Sequence, residues 1–516
     1  MDSHWYKDAI LYNVDVRAFY DSNGDGIGDL TGLIDKLHYL RELGVTALVL
    51  GPRQHCWLGK DGSAGSPSKP AAQDFERFVR EAHSRRMHVI TELLVDQTSD
   101  QALDADLLPA RAAFEKAIRH WLDAGVDGVK IDVAPTLAKL QRAGGVKLPG
   151  AHAIVKETRA LIDNHYAERV IVVEANRSPD DVAEYFGRGD QGHMAFDVSF
   201  MPRLLMAVKQ ESRTLLVQAL RRTTDIPASC QWAVFLRHHK ELSLESCTDS
   251  ERDEMYETYA PEPRMRFKTG IRRRLAPLFE NDRRRIELAY ALMFSLPGSP
   301  VMYYGDEIGM GDNVYLDDCN GLRTPMQWSS DRNAGFSLAD PARLTVPANA
   351  GPIYGYQVVN VEAQKRQPFS LFNWMRRLIA VRRHHAVFGH GTIDFLEPRN
   401  ETILAYVRRH REERILVVAN LSGKAQIVDL ALGVYAGAQP LELLGGTRFR
   451  RIGAGPYSVT LGPYGCFWLL LSRRVIRPSP SSDVAAGVLG TQPEETEAPA
   501  ALAENSPGGE LCKRTE

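Results

Sequence analysis

AFEKAIRHWLDAGVDGVKIDV, residues 113–133, runs as an amphipathic helix, a short break and then a compact apolar strand. The same order returns in FVREAHSRRMHVITELLV (78–95) and in TRALIDNHYAERVIVVEAN (158–176). It is present once more near the N-terminus, where Leu33, Leu37, Leu40 and Leu43 lie at helical spacing, Gly44 ends the helix and Thr46–Leu50 reads as a buried strand. Short strands that are apolar on both faces and alternate with helices imply a parallel sheet covered on both sides. The candidate strands are 9–17, 46–51, 88–95, 128–132, 170–174, 195–200, 232–237 and 300–304. Eight of them predict a (β/α)8 TIM barrel over residues 1–385 rather than an open doubly wound sheet.

Beyond about residue 385 the helices drop out. TILAYVRRH, RILVVANLS, AQIVDL, YSVTL and GCFWLLLS predict a C-terminal antiparallel β-sandwich domain over 386–473. Residues 474–516, rich in Pro, Ser, Ala, Glu and Gly and without apolar periodicity, are expected to be a disordered tail. The chain has 516 residues, and 63 Lys and Arg against 65 Asp and Glu give a formal net charge of −2. That balance argues against a nucleic-acid binder, and the Arg clusters at 272–274 and 283–285 read as solvated helix faces. The six cysteines are scattered without a CxxC pair, so neither a zinc site nor a disulfide framework is expected. No signal-peptide core and no long apolar run is present, which predicts a cytoplasmic protein with no membrane partner.

In a barrel, chemistry belongs at the C-terminal ends of the strands. The polar residues there are Asp96, Asp132, Glu174, the run His239-Lys240-Glu241, and Asp306-Glu307. Each alone has an ordinary structural reading, as a cap or as a partner for backbone groups. Together they suggest two carboxyl groups facing one pocket, the arrangement of retaining glycoside chemistry. Asp132 and Glu174 end adjacent strands and are the natural pair. The acid of such a pair needs a raised pKa, which burial beside an ionised Asp would supply. The loop DSNGDGIGD (21–29) places oxygens at alternate positions on Asp21, Asn23, Asp25 and Asp29, with a backbone carbonyl at Ile27 to complete a shell for Ca2+. A polar turn is the alternative reading. The cation's role would be structural.

These motifs resemble the α-amylase superfamily, glycoside hydrolase family 13, and within it most closely the trehalose synthases. The stretches that carry the resemblance include VEANRSPDDVAEYFGRGDQGHMAF, SLPGSPVMYYGDEIGMGDN and NGLRTPMQWSSDRNAGF. The resemblance implies a barrel with a C-terminal β-sandwich, a cation in the 21–29 loop, no organic cofactor, and double-displacement chemistry on maltose or trehalose. It assigns Asp132 as nucleophile, Glu174 as acid/base and His239 as a contact to the glucosyl ring, and it puts Arg323, in the matching RTPMQW loop, with Lys130 and Lys240 at substrate-binding positions.

The departures from the pattern are specific. Where the family has Asn-His-Asp-Glu this chain has His238-His239-Lys240-Glu241, so the third catalytic carboxylate is replaced by Lys240. The family's Arg two residues before the nucleophile is Lys130, which keeps the charge and loses the bidentate fork. Asp96-Gln97 stands for Asn-His, and Ser63 and Ala64 for a tyrosine and an aspartate. About 32 residues separate Asp96 from Gly128, too few for the family's lid domain. The expectation is a trehalose-synthase-like, α-glucoside-active protein with impaired catalysis. The alternative is a non-catalytic sugar-binding or partner-binding homologue, as a homo-oligomer or beside an active paralogue.

Overall fold

The computed structural model describes residues 4–51, 69–93, 107–133, 149–175, 177–223 and 225–471. Ser63, Ala64, Asp96, Gln97 and the tail at 474–516 lie outside them. Eight parallel strands close a barrel: β1 (Leu11–Val14), β2 (Ala47–Leu50), β3 (His88–Leu93), β4 (Gly128–Asp132), β5 (Val170–Glu174), β6 (Met194–Asp197), β7 (Gln231–Phe235) and β8 (Ser299–Tyr303). Each neighbours the next in the chain, and β8 pairs with β1 to shut the ring.

Alternation along each strand separates two cores. Leu11, Ala47, Val49, Ile90, Val170, Val172, Met194, Phe196, Ala233, Phe235 and Val301 fill the barrel interior. The intervening residues, among them Tyr12, Leu48, Val89, Ile171 and Val173, pack outward under the helices. The same parity carries the interior face upward into polar residues: Leu11 leads to Asn13, Ile90 to Glu92, Gly128 to Lys130 and Asp132, and Val172 to Glu174. All of these polar residues are buried.

The helices include α1 (Leu30–Leu43), α2 (Lys69–Ser84), α3 (Leu107–Asp123), α4 (Pro149–His165), α5 (Pro179–Ala183), α6 (Phe200–Lys209), α7 (Arg283–Ser295) and α8 (Leu371–His384). Asp29 caps α1 by accepting from the Gly32 N–H at 2.7 Å, and Gly44 ends it with φ 103°. Only glycine suits that end, because a Cβ there would lie 2.6 Å from Ile379 Cγ2 on α8. Among the described residues no helix is long and apolar enough to cross a membrane.

The C-terminal part is antiparallel. β9 (Thr392–Leu396), β10 (Ile403–His410), β11 (Glu413–Asn420) and two later strands, Leu441–Glu442 and Cys466–Leu470, form one sheet, and Gln426–Leu430 pairs with Tyr457–Leu461 in a second. Their apolar faces share a core of Ile403, Ala405, Val407, Leu416, Val418, Val428, Leu430, Val459 and Leu469. Two buried arginines sit where this part meets the barrel, and of them Arg408 bonds across the junction. Arg382 on α8 donates to the carbonyls of Phe294 and Gly298, and Arg408 on β10 to those of Ser295, Phe388, Gly391 and Thr392. The Ser295 and Tyr406 hydroxyls meet at 2.6 Å beside them.

One expectation from the sequence fails here. Arg272–Arg274 is not a solvated helix face: Arg272 and Arg274 are buried in the segment before Leu275. Arg272 donates to the carbonyls of Leu316, Asp318, Arg264 and Val314, while Arg274 pairs with Asp306 at 3.1 Å. A run of charge looks solvated in one dimension, but carbonyls and an acid brought from elsewhere in the chain satisfy it. Arg283–Arg285 does begin a helix, α7.

Candidate active site

The strand ends bring five charged groups together. Asp132 and Glu174 are Cα partners across β4 and β5, and Glu92 and Lys130 are partners across β3 and β4. All four share the interior parity, so their side chains converge in one layer. The segment after β7 adds Lys240. Its ammonium lies 2.6 Å from Asp132 Oδ2 and 3.1 Å from Glu174 Oε1. Lys130 pairs with the other oxygen of Glu174, Oε2, and stands 3.2 Å from Glu92 Oε2. Glu174 therefore sits between two ammonium groups.

The turn that delivers Lys240 is pinned at several points. The Lys240 N–H donates to His238 Nδ1 at 3.0 Å, and its carbonyl accepts from Arg237 Nη2 at 3.0 Å. His238 stacks on Phe235 with ring centroids 4.7 Å apart, and Arg323 Nε donates to the His239 carbonyl at 3.1 Å. His239 is buried, and neither of its ring nitrogens has a hydrogen-bond partner among the described residues. The Lys240 side chain is 26% exposed and Glu174 only 2%, so Lys240 is the outermost member of the cluster.

The electrostatics follow from this geometry. Burial alone would raise Glu174, but the ammonium groups of Lys130 and Lys240 overcome it and hold the carboxyl well below its ordinary range. Each ion pair at such a distance is worth on the order of 4 kcal/mol at an effective dielectric near 20, so two of them outweigh one desolvation penalty. The sequence reading of a raised acid is thus corrected: burial beside Asp132 is present, and two cations reverse its effect. Glu92, farther from Lys240, goes the other way, raised by burial and by the nearby carboxylates despite Lys130. Burial lowers Lys130 and Lys240 less than the surrounding carboxylates raise them, so both stay firmly charged. Burial pushes His238 down to about 3 and His239 well below its usual value, so both imidazoles are neutral at pH 7.

The other strand-end residues go elsewhere. Glu241 turns to Lys268, 3.5 Å away, and toward Cys319. Asp306, raised to about 7 by burial, pairs with Arg274. Glu307 accepts from Tyr12 at 2.8 Å and Tyr39 at 2.6 Å. These last two hold the fold behind β8. Arg323 lines a rim pocket with Asp15, Arg17, Gly26, Asn320 and Phe336. Glu92 and Arg237 were not singled out by the sequence reading, and His238 only as a departure from the family's run. An acid inside the apolar run HVITELLV was the available signal for Glu92.

In the 21–29 loop, Asp21 accepts from the Gly24 and Gly26 N–H groups at 2.8 Å and from Ser337 Oγ, Asn23 from Asp25 N–H and Asp25 from Ile27 N–H. Asp29 accepts from Ser22 and caps α1. The donor set is all oxygen, which suits a hard cation. Among the described residues, the group of three or more His, Cys, Asp or Glu whose ligand atoms all lie within 4.8 Å of one another is Glu92, Asp132 and Glu174, where lysines already supply the positive charge.

Residues 14–106 and 103–391 match the family model of the α-amylase catalytic domain, and 393–468 that of the maltogenic amylase C-terminal domain. A trehalose synthase/amylase of Mycolicibacterium smegmatis is 41% identical, over 91% of this chain and 93% of the relative. A trehalose synthase of Pimelobacter sp. is 40% identical, over 91% of this chain and 96% of the relative. Among solved structures, an α-amylase from H. orenii superposes with a TM-score of 0.70 at 20% identity, covering 92% of this chain and 100% of that one. At that identity the likeness is one of fold.

Proposed function

We propose, from the premise that this chain belongs to the α-amylase family, glycoside hydrolase family 13, that it is a trehalose-synthase-like member that binds α-glucosides such as maltose or trehalose and turns them over poorly or not at all. The observation that carries this is the Lys240 ammonium between Asp132 and Glu174. A retaining mechanism needs one carboxylate free to attack the anomeric carbon and one carboxylic acid to protonate the departing oxygen. Asp132 would have to give up a short ion pair before attacking. Glu174, flanked by two ammonium groups, has no proton to give at neutral pH. Both halves of the double displacement are weakened by the same side chain, and loss of one preorganised transition-state contact alone costs about 3–4 kcal/mol.

Further support comes from the alignment with the Mycolicibacterium relative. It spans 551 positions, more than this chain's 516 residues, so the relative carries segments that this chain lacks. A missing lid would expose any glucosyl intermediate to water and favour hydrolysis over rearrangement. For the structural cation, the side chains of Asp21, Asn23, Asp25 and Asp29 and the Ile27 carbonyl would hold Ca2+ and clamp the first βα loop. A cytoplasmic location accords with Cys230, Cys247, Cys319 and Cys466, which form no disulfide among the described residues.

The alternative, a simplified α-glucosidase, rests on the retained Asp132–Glu174 pair. The test is incubation of the full chain with maltose, trehalose and 4-nitrophenyl α-glucoside, with product analysis. The expected result is no glucose release or disaccharide interconversion above that of Glu174→Gln. Turnover that disappears in Glu174→Gln overturns the proposal.

A further inference from the structure

The opposite end of the barrel holds a cavity of about 190 Å3. Arg169 immediately precedes β5 and His193 immediately precedes β6, so the cavity opens at the N-terminal ends of the strands. Val170 lines it, and Glu174 ends the same strand about 13 Å away. Pockets for drug-sized ligands run to about 300–1,000 Å3, so an occupant here is small.

The walls change character with depth. Arg159, on α4, has a side chain only 14% exposed, while its partner Asp163 is 51% exposed. Arg159 spends Nε on Asp163, at 2.9 and 2.8 Å, and Nη1 on the Gln191 carbonyl at 3.2 Å, which leaves Nη2 to donate. Arg169 reaches Asp127 Oδ1 and the Ala167 carbonyl through Nη1, both at 3.4 Å, and again Nη2 is left. His193 is buried, and its Nδ1 accepts from the Ile171 N–H at 3.1 Å, so the ring proton sits on Nε2. Burial, with Arg159 adding to it, pushes this imidazole down to about 3, which makes it a neutral donor at pH 7. At the mouth, Glu168 is exposed, and its carboxylate has no hydrogen-bond or ion-pair partner among the described residues. The interior thus offers donors and the mouth offers acceptors.

We infer that this cavity is a binding site for a small hydroxylated monocarboxylate, with its carboxylate among Arg159, Arg169 and His193 and its hydroxyls toward Asp163 and Glu168. Guanidinium groups and a neutral N–H suit a carboxylate, to which charge-assisted bonds are short and strong. A dianion is penalised by the two acids at the mouth. A carboxylate without hydroxyls would cover those acids without giving them donors. The site is separate from the Asp132, Glu174 and Lys240 cluster, and the inference does not depend on how that cluster is read.

Isothermal titration of the full chain at pH 8 compares D-glycerate with propionate, the same acid without its hydroxyls, and with inorganic phosphate, there a dianion. D-glycerate is expected to bind about tenfold more tightly than either. Propionate or phosphate binding as tightly as glycerate, or no glycerate binding at millimolar concentration, overturns the inference. These titrations use wild type alone, so they stand even where a variant fails to fold. Arg169→Gln is expected to weaken glycerate about tenfold. His193→Asn is expected to weaken it about fivefold, because the asparagine oxygen can still accept from the Ile171 N–H while the Nε2–H donor is lost. An unchanged glycerate affinity in Arg169→Gln overturns the inference as well, since binding would then lie elsewhere on the chain.

Discussion

Two regions of this molecule bury a pair of cations, and they do so in opposite ways. At the barrel rim Lys130 and Lys240 lie among Glu92, Asp132 and Glu174, and both lysines are raised. At the junction with the C-terminal sheets Arg382 and Arg408 are held by backbone carbonyls. Burial lowers Arg382 to about 9, with the neighbouring Arg408 adding to the effect, and burial lowers Arg408 to about 10. Both stay cations at neutral pH. Carboxylates more than repay the desolvation of an ammonium, whereas carbonyl dipoles repay it only in part. The rim is therefore an electrostatic unit whose members set each other's protonation. The junction is a hydrogen-bonded rivet in which each donor has its own acceptor.

The contrast is broken most severely by Arg408→Leu. It strips donors from four carbonyls, those of Ser295 and Phe388 in buried bonds and those of Gly391 and Thr392 in partly buried ones, and the expected loss is about 4 kcal/mol in urea unfolding at pH 7, with little dependence on pH between 5 and 8. A loss under 1 kcal/mol would mean that packing rather than hydrogen bonding holds the junction.

Lys240→Met should cost less, about 2–3 kcal/mol, and the cost should depend on pH. Without the ammonium one of the two carboxyls is raised, so stability recovers as pH falls through that raised value. A pH-independent difference between variant and wild type would show that Asp132 and Glu174 are not coupled through Lys240.

Glu174→Gln sharpens the same point from the acid side. Because the folded-state value of Glu174 lies well below the ordinary 4.5, its contribution is present above about pH 4.5 and is lost as pH falls through the lower folded value. The variant is expected to be about 2 kcal/mol less stable at pH 7, with the gap narrowing below pH 4. The smallest effect is expected for Gly44→Ala, which touches neither cation pair. Strain at φ 103° should lower stability by about 1–2 kcal/mol and leave the pH profile unchanged, as a thermal melt series would record.

The barrel was legible because its strands are apolar on both faces. All eight intervals read from the sequence contain or overlap an observed strand, 128–132 and 170–174 to the residue. β9 was missed because it is a sheet edge, with Thr392 exposed and its neighbours only half-buried, so its pattern lacks the apolar alternation of β10. At the site, Asp132, Glu174 and Lys240 could be brought together by their positions at strand ends. The state of Glu174 could not, since it depends on which side of the carboxyl each ammonium reaches. Lys130 and Glu92 belong to the cluster through strand parity, a property of the closed ring. Arg272 and Arg274 were misread for the same reason: their partners lie far away in sequence.

The arginine rivet also bears on the order of assembly. The carbonyls of Gly298 and Ser295, at the entry to β8, are gripped by residues 84 and 113 positions further along the chain. During synthesis β8 can lie against β1 long before anything fastens the segment that leads into it. The ring is thus complete in outline well before it is locked, and a ribosome stalled before Arg382 would carry a barrel with a loose seam, the state most exposed to misassociation with its neighbours.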